Sequence, residues 1–200
     1  MKSILSISLL ALLFAFTTGI DVPQKPEDIS PLLIGETIPD VHLQTLDGKS
    51  ISLLSEIAKK PTLLVFYRGG WCPYCSRQLA ELRTLEPDLE KMGYQLIAVS
   101  TDSPENLKST LDKNHLNYTL LSDADVTAAK AFGLAFKAPI SYSSTLEKGS
   151  NGKNTEKLLP VPAVFLLNQQ GIIKFEYINP NFKERLPGKL LKAAAEAVLD

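Results

Sequence analysis

The chain has 200 residues, 44% of them hydrophobic, and a formal charge of −1, its 21 Lys and Arg nearly matched by 22 Asp and Glu. That charge is uninformative in itself, and no basic stripe or charge block points to nucleic acid or a membrane surface as partner; there is no internal repeat or low-complexity tract. The 2 cysteines fall in one short motif, which excludes a disulfide framework and reads as a redox-active pair.

Residues 1–19 carry one lysine, an apolar run at 4–16 and small residues at Thr17 and Gly19, the pattern of a secretory signal peptide. The run is shorter than the roughly 20 apolar residues of a membrane helix. The expectation is therefore an exported protein, periplasmic or extracellular, with no stable membrane association once the leader is cleaved. Residues 20–32 are polar and proline-containing and read as a linker, leaving 33–200 as the folded domain. Residues 41–45 alternate, Asp47-Gly48 is a hairpin turn signal and residues 50–53 continue the pattern, giving a small β-hairpin. His42 is then a solvent-side strand residue. Residues 54–59 make a short helix that stops before Pro61, and the unbroken apolar run 62–67 is a buried strand.

That strand leads into Arg68-Gly69-Gly70-Trp71-Cys72-Pro73-Tyr74-Cys75. Cys72 suits a helix N-cap and Pro73 the first helical position, where its missing N–H is an orphan in any case. Cys75 follows at the third. The Cys72 sulfur then faces the free backbone donors of Tyr74 and Cys75 and the positive end of the helix, both of which favour thiolate over thiol. Cys72 is the expected nucleophile. Cys75, one turn further in and less exposed, is placed to attack a sulfenate or mixed disulfide formed on Cys72, closing a Cys72–Cys75 disulfide. A purely structural disulfide in so short a loop gives only about 2 kcal/mol in the chain-entropy model, little for a domain already large enough to bury a core. A zinc site would have to recruit His42 and His115, far apart and without zinc-finger spacing. No metal and no cofactor is expected.

Beyond the motif, Leu79, Leu82, Leu85 and Leu89 recur at helical spacing, with Pro87 as an expected kink and Gly93 as the end. Residues 94–100 form the next strand. Ser103-Pro104-Glu105 opens a helix that reaches Asn114, with Asp102 assigned to its cap and His115 to an exposed loop. Residues 118–121 suggest a short strand, Asp123 a cap, and 126–132 a helix closed by Gly133. Residues 137–159, rich in Ser, Gly, Asn and Lys and aperiodic, read as a long mobile loop. Residues 163–167 and 172–177 form a second hairpin across 168–171, and 190–199 a closing helix. This order implies an α/β fold, a central mixed sheet with helices on both faces.

Four stretches together resemble a known family: Gly35-Glu36-Thr37-Ile38-Pro39-Asp40 with Leu46-Asp47-Gly48-Lys49; Phe66 to Cys75; Ser100-Thr101-Asp102-Ser103-Pro104 through Leu121-Ser122-Asp123; and Val161-Pro162-Ala163-Val164-Phe165. The chain resembles the thioredoxin fold and, within it, the peroxiredoxin-like branch related to alkyl hydroperoxide reductase and bacterioferritin comigratory protein. The resemblance implies a thioredoxin-like α/β fold with an N-terminal β-hairpin extension. It implies a thiol peroxidase reducing hydroperoxides and recycled by a thioredoxin-like reductant, or else a thiol-disulfide oxidoreductase acting on protein disulfides. A binding protein with idle cysteines is the third reading. The motif departs from both parents. Gly69 stands where peroxiredoxins carry Thr or Ser, Pro162 where they place an arginine, and Phe66 where thioredoxin keeps a buried acid. Arg68 is the nearest cation in sequence and the available substitute, against the reading of an exposed strand-end arginine. Val161-Pro162 matches the cis-proline loop of thioredoxin, which implies a cis Pro162 that keeps Val161 extended for backbone pairing with a partner. Trp71 and Tyr74 are expected to form the apolar rim.

Overall fold

The structure is a computed structural model describing residues 22–199. The leader expected at residues 1–19 lies outside the described residues. Residues 22–32, read as linker, lie along the body. The Lys137 N–H donates to the Pro23 carbonyl and the Leu32 N–H to that of Phe132, and Ile29 packs on two apolar clusters.

Two short strands, β1 (His42–Gln44) and β2 (Ser50–Ser52), form the first hairpin around Asp47-Gly48, with Leu43 buried and His42 exposed. The Ser52 side chain caps α1 (Leu53–Ile57). Strand β3 (Thr62–Tyr67) is buried along its whole length and delivers the chain to α2 (Pro73–Lys91), which runs on through Pro87. Strand β4 (Gln95–Ser100) feeds α3 (Pro104–Asn114), whose N-cap is Ser103 and whose C-cap is the exposed His115 in the left-handed region (φ 50°). After β5 (Thr119–Ser122), the buried Asp123 carboxylate accepts the Ala128 and Ala129 N–H groups, each at 2.8 Å, and so caps α4 (Thr127–Ala131).

The stretch 137–159 is not a mobile loop. It contains the end of β6 (Ala135–Lys137), a 3-10 turn at Ile140–Tyr142, α5 (Ser143–Gly149) and most of β7 (Leu158–Pro160), which pairs with β6. Among its apolar residues, Ala138, Leu146 and Leu159 close with Phe136 and Val161 into a small core of their own. Its polar residues replace ladder bonds: Asn154 accepts from the Leu158 N–H (2.9 Å) and donates to the Leu158 carbonyl (2.8 Å), while Ser150 Oγ accepts the Asn154 N–H (3.0 Å). Order built this way leaves no periodic trace in sequence.

The chain ends with the hairpin β8 (Ala163–Leu167) and β9 (Ile173–Ile178) and with α6 (Gly188–Ala197). The main sheet runs β2-β1-β5-β4-β3-β8-β9, with β3 parallel to β4 and antiparallel to β8. Alternation along β3 divides the core: Leu63, Val65 and Tyr67 face α2, α3 and α6, whereas Leu64 and Phe66 face α1 and α4. This is the expected mixed sheet with helices on both faces. Among the described residues no helix is long and apolar enough to cross a membrane.

Candidate active site

At the end of the central strand a tight backbone corner meets a helix start. Gly69 lies at φ +147°, and a Cβ built on it would stand 2.2 Å from Trp71 Nε1; one on Gly70 would stand 1.9 Å from Thr110 Oγ1. Only glycine fits either position with its neighbours in place. The corner is held from outside by Asp102, whose Oδ2 accepts the Gly70 N–H at 2.7 Å. Asp102 is thus no cap of α3, which Ser103 serves. It spans from the end of β4 to the loop before Cys72, and burial pushes its carboxyl up to about 6.

Cys72 occupies the N-cap of α2 and Pro73 its first position. The two sulfurs divide their roles. Cys72 is lowered to about 6, chiefly because the Cys75 thiol donates a hydrogen bond to its sulfur; the Cys75 backbone N–H, Arg68 and Arg185 add to the effect against the cost of burial. That N–H lacks the geometry of a regular cap hydrogen bond. Cys75 is pushed well above the usual thiol range, first by burial and then by its bond to Cys72 and the charge there. At neutral pH the pair therefore holds one thiolate and one thiol, with the proton on Cys75.

Both cysteines are buried, Cys72 at 1% exposure and Cys75 at 0%, so the second is scarcely less accessible than the first. What covers the site is aromatic. Tyr142, from the 3-10 turn, lies 5.5 Å from the Trp71 ring, and Phe182, from the loop after β9, stands edge-on to Tyr74 at 5.7 Å. Arg68 is not an exposed strand-end residue. At 3% exposure, its guanidinium sits between the rings of Phe182 (4.1 Å), Tyr142 (4.6 Å) and Trp71 (5.1 Å). No carboxylate among the described residues pairs with it. A buried cation needs a counter-charge, and the Cys72 thiolate is the anion whose pKa it lowers.

The Val161-Pro162 loop departs from the thioredoxin pattern. No peptide bond among the described residues is cis, so Pro162 is trans. The Val161 N–H already donates to the Leu134 carbonyl (2.9 Å), and both Val161 and Pro162 are buried. Val161 follows β7 directly and is held by the chain's own small core, so its N–H is not offered to a partner. The register Phe66↔Ala163 nevertheless keeps this loop beside the end of β3.

Tyr142, Phe182 and Arg185 belong to the site without any mark in the sequence. Arg185 Nη2 donates to Cys75 Sγ at 3.6 Å across 110 positions of chain; no spacing rule reaches that far. An open cleft of about 350 Å³ beside Trp71, lined by Gly70, Asp102, Asn106, Thr110, Lys148 and Gly149 among others, does not include either sulfur. Among the described residues no group of three or more His, Cys, Asp or Glu gathers to hold a metal.

Comparison with known proteins agrees with this architecture. The model of the AhpC/TSA family matches residues 34–176. Peroxiredoxin Bcp of Escherichia coli is 30% identical over 155 residues, 78% of this chain and 90% of the relative, and the chloroplastic peroxiredoxin Q of Populus jackii is 26% identical over 183 residues, 90% and 78% respectively. Among solved structures, reduced Prx3 of Vibrio vulnificus in complex with H2O2 superposes with a TM-score of 0.70 at 19% identity, covering 82% of this chain and 99% of that one. The bacterioferritin comigratory protein of Xanthomonas campestris gives 0.64 at 21% identity, covering 86% and 100%. By a family model matched over residues 34–176 and by a relative 30% identical along 90% of its length, the chain belongs to the AhpC/TSA family of peroxiredoxins.

Proposed function

We propose that this protein is a thiol peroxidase that reduces small hydroperoxides through Cys72 and Cys75. The observation that carries the reading is a buried thiolate: Cys72 is held ionised at neutral pH, yet has almost no exposed surface, and Arg68, whose charge lowers it, is enclosed by Trp71, Tyr142 and Phe182. A small peroxide fits such a site. The disulfide of a folded protein does not reach it without displacing the aromatic cover, and the buried Val161 already spends its N–H on the Leu134 carbonyl.

The Cys72 thiolate attacks one peroxide oxygen, the O–O bond breaks, and the alkoxide or hydroxide leaves and takes up a proton. Arg68 stands beside the thiolate, and its charge is the one available to steady the leaving oxygen. It takes over work for which peroxiredoxins use the residues replaced here by Gly69 and Pro162. Cys75 then attacks the Cys72 sulfenic acid, expelling hydroxide and forming the Cys72–Cys75 disulfide. A thioredoxin-like dithiol protein reduces it. The leader-like residues 1–19 support export to the periplasm or exterior as the place of action.

The test is hydrogen peroxide consumption with a dithiol donor, beside insulin reduction, for wild type, Cys72→Ser and Cys75→Ser. Peroxide turnover that vanishes in Cys72→Ser is expected. Insulin reduction without peroxide turnover would contradict the proposal.

A further inference from the structure

Two cations flank the cysteines: the charges of both lower Cys72, but only one of the two side chains makes a sulfur contact. Arg68 is enclosed by the rings around Cys72, whereas Arg185 makes its sulfur contact with Cys75. Arg185 is part-buried, its Nη1 donates to the Glu184 carbonyl (3.0 Å), and its Nε is buried without a partner. The loop carrying it is fixed. Asn179 Oδ1 accepts the Asn181 N–H, Asn181 Oδ1 accepts the Lys183 N–H, Leu186 is buried in the larger core, and the Gly188 N–H donates to Glu81 on α2 at 2.7 Å. Because Glu81 and Cys75 belong to one helix, the loop docks the guanidinium against the helix that bears its target.

We propose that Arg185 holds Cys75 as a thiolate in the second chemical step, and again as leaving group when the disulfide is reduced. This rests on the peroxidase reading above. Before oxidation Cys75 cannot ionise readily, since it is buried, donates its proton to the Cys72 sulfur and faces that sulfur's charge. Peroxide removes two of those three obstacles at once, because the Cys72 sulfenic acid is neutral. Burial remains, and a buried anion needs a charged donor. Arg185 Nη2 at 3.6 Å is that donor. The Cys75 thiolate attacks the Cys72 sulfur, the S–S bond forms, the S–O bond breaks, and the departing hydroxide joins the proton that Cys75 released to give water. In reduction a donor thiolate attacks Cys72 and the electron pair of the S–S bond returns to Cys75, beside the same guanidinium. Charge in the first step thus rests with Cys72 and Arg68, and in the second with Arg185.

The test mixes the reduced full chain rapidly with hydrogen peroxide, follows the fluorescence of Trp71, the chain's sole tryptophan, and traps sulfenic acid with dimedone for mass spectrometry. Arg185→Met is expected to slow the second phase about tenfold or more, the effect of losing a charged hydrogen bond, and to accumulate trapped sulfenic acid on Cys72. The first phase should slow by a smaller factor, since Arg185 is only a minor influence on Cys72. Arg185→Lys keeps the charge and should restore the second phase in part. Equal slowing of both phases, an unchanged second phase, or a lysine variant as impaired as the methionine one would overturn the assignment. Failure of the underlying reading looks different: no sulfenic acid would form even in Cys75→Ser, where nothing consumes it.

Discussion

At pH 7 a thiol lowered to about 6 is mostly ionised, and its largest support is the hydrogen bond from Cys75. The thiolate absorbance of the reduced protein should therefore rise with a midpoint near 6, from Cys72 alone. Cys75→Ala, which removes that donor, should move the midpoint up toward an ordinary thiol, while an unmoved midpoint would shift the credit to Arg68 and the helix end. Gly69 gives a second test at this scale. Installing the family's threonine there meets both the positive φ and the Trp71 indole, so Gly69→Thr should lose about 1–3 kcal/mol of stability in urea unfolding and should not raise peroxide turnover. The positions of Cys72, Pro73 and Cys75 at the start of α2 are legible in the sequence because helix capping is local chemistry. Arg68 is legible as a residue but not as a buried one, since the rings that enclose it come from Tyr142 and Phe182, distant in sequence. Arg185 leaves no signal at all.

Between elements, the clamp from Asp102 to the Gly70 N–H joins the end of β4 to the corner before α2. Burial raises its carboxyl from 3.8 to about 6, so the folded protein binds that proton more tightly than the unfolded chain. The resulting stability is fully present below about pH 3.8 and is lost as pH rises through about 6, on the order of 3 kcal/mol in all. Asp102→Asn should remove this share of the pH dependence in urea unfolding between pH 4 and 7. A slope equal to that of wild type would contradict it. Asp123, raised by burial to about 7, acts in an overlapping window and leaves the variant a residual slope. The segment around α5 offers a test of its own: Leu146 is 1% exposed in its small core, and Leu146→Ala should cost about 2–5 kcal/mol, seen as faster hydrogen exchange across residues 135–160. Helix α2 is readable from its leucines because an amphipathic face repeats. The α5 segment is not, because side-chain bonds from Ser150 and Asn154 do the ordering that periodicity would otherwise announce.

Across the molecule, one buried strand organises everything. Strand β3 sends Leu63, Val65 and Tyr67 into the core beneath α2 and Leu64 and Phe66 into the core beneath α1 and α4, and its end carries the chemistry to the edge of both. The apolar runs at 62–67 and 163–167 make that sheet legible from the amino-acid sequence alone. The cover over the site is not, since it is assembled from the 3-10 turn before α5 and the loop before α6, which meet only in the fold. That cover encloses Arg68, whose charge supports the Cys72 thiolate against the cost of burial, and is why the oxidant should be small. The most direct test exposes the reduced protein, without donor, to a stoichiometric amount of hydrogen peroxide and maps its cysteines by mass spectrometry. The account predicts a Cys72–Cys75 disulfide in wild type, a sulfenic acid on Cys72 in Cys75→Ser, and an unreacted Cys75 in Cys72→Ser. Free thiols surviving peroxide in wild type, while the same preparation reduces protein disulfides, would contradict it.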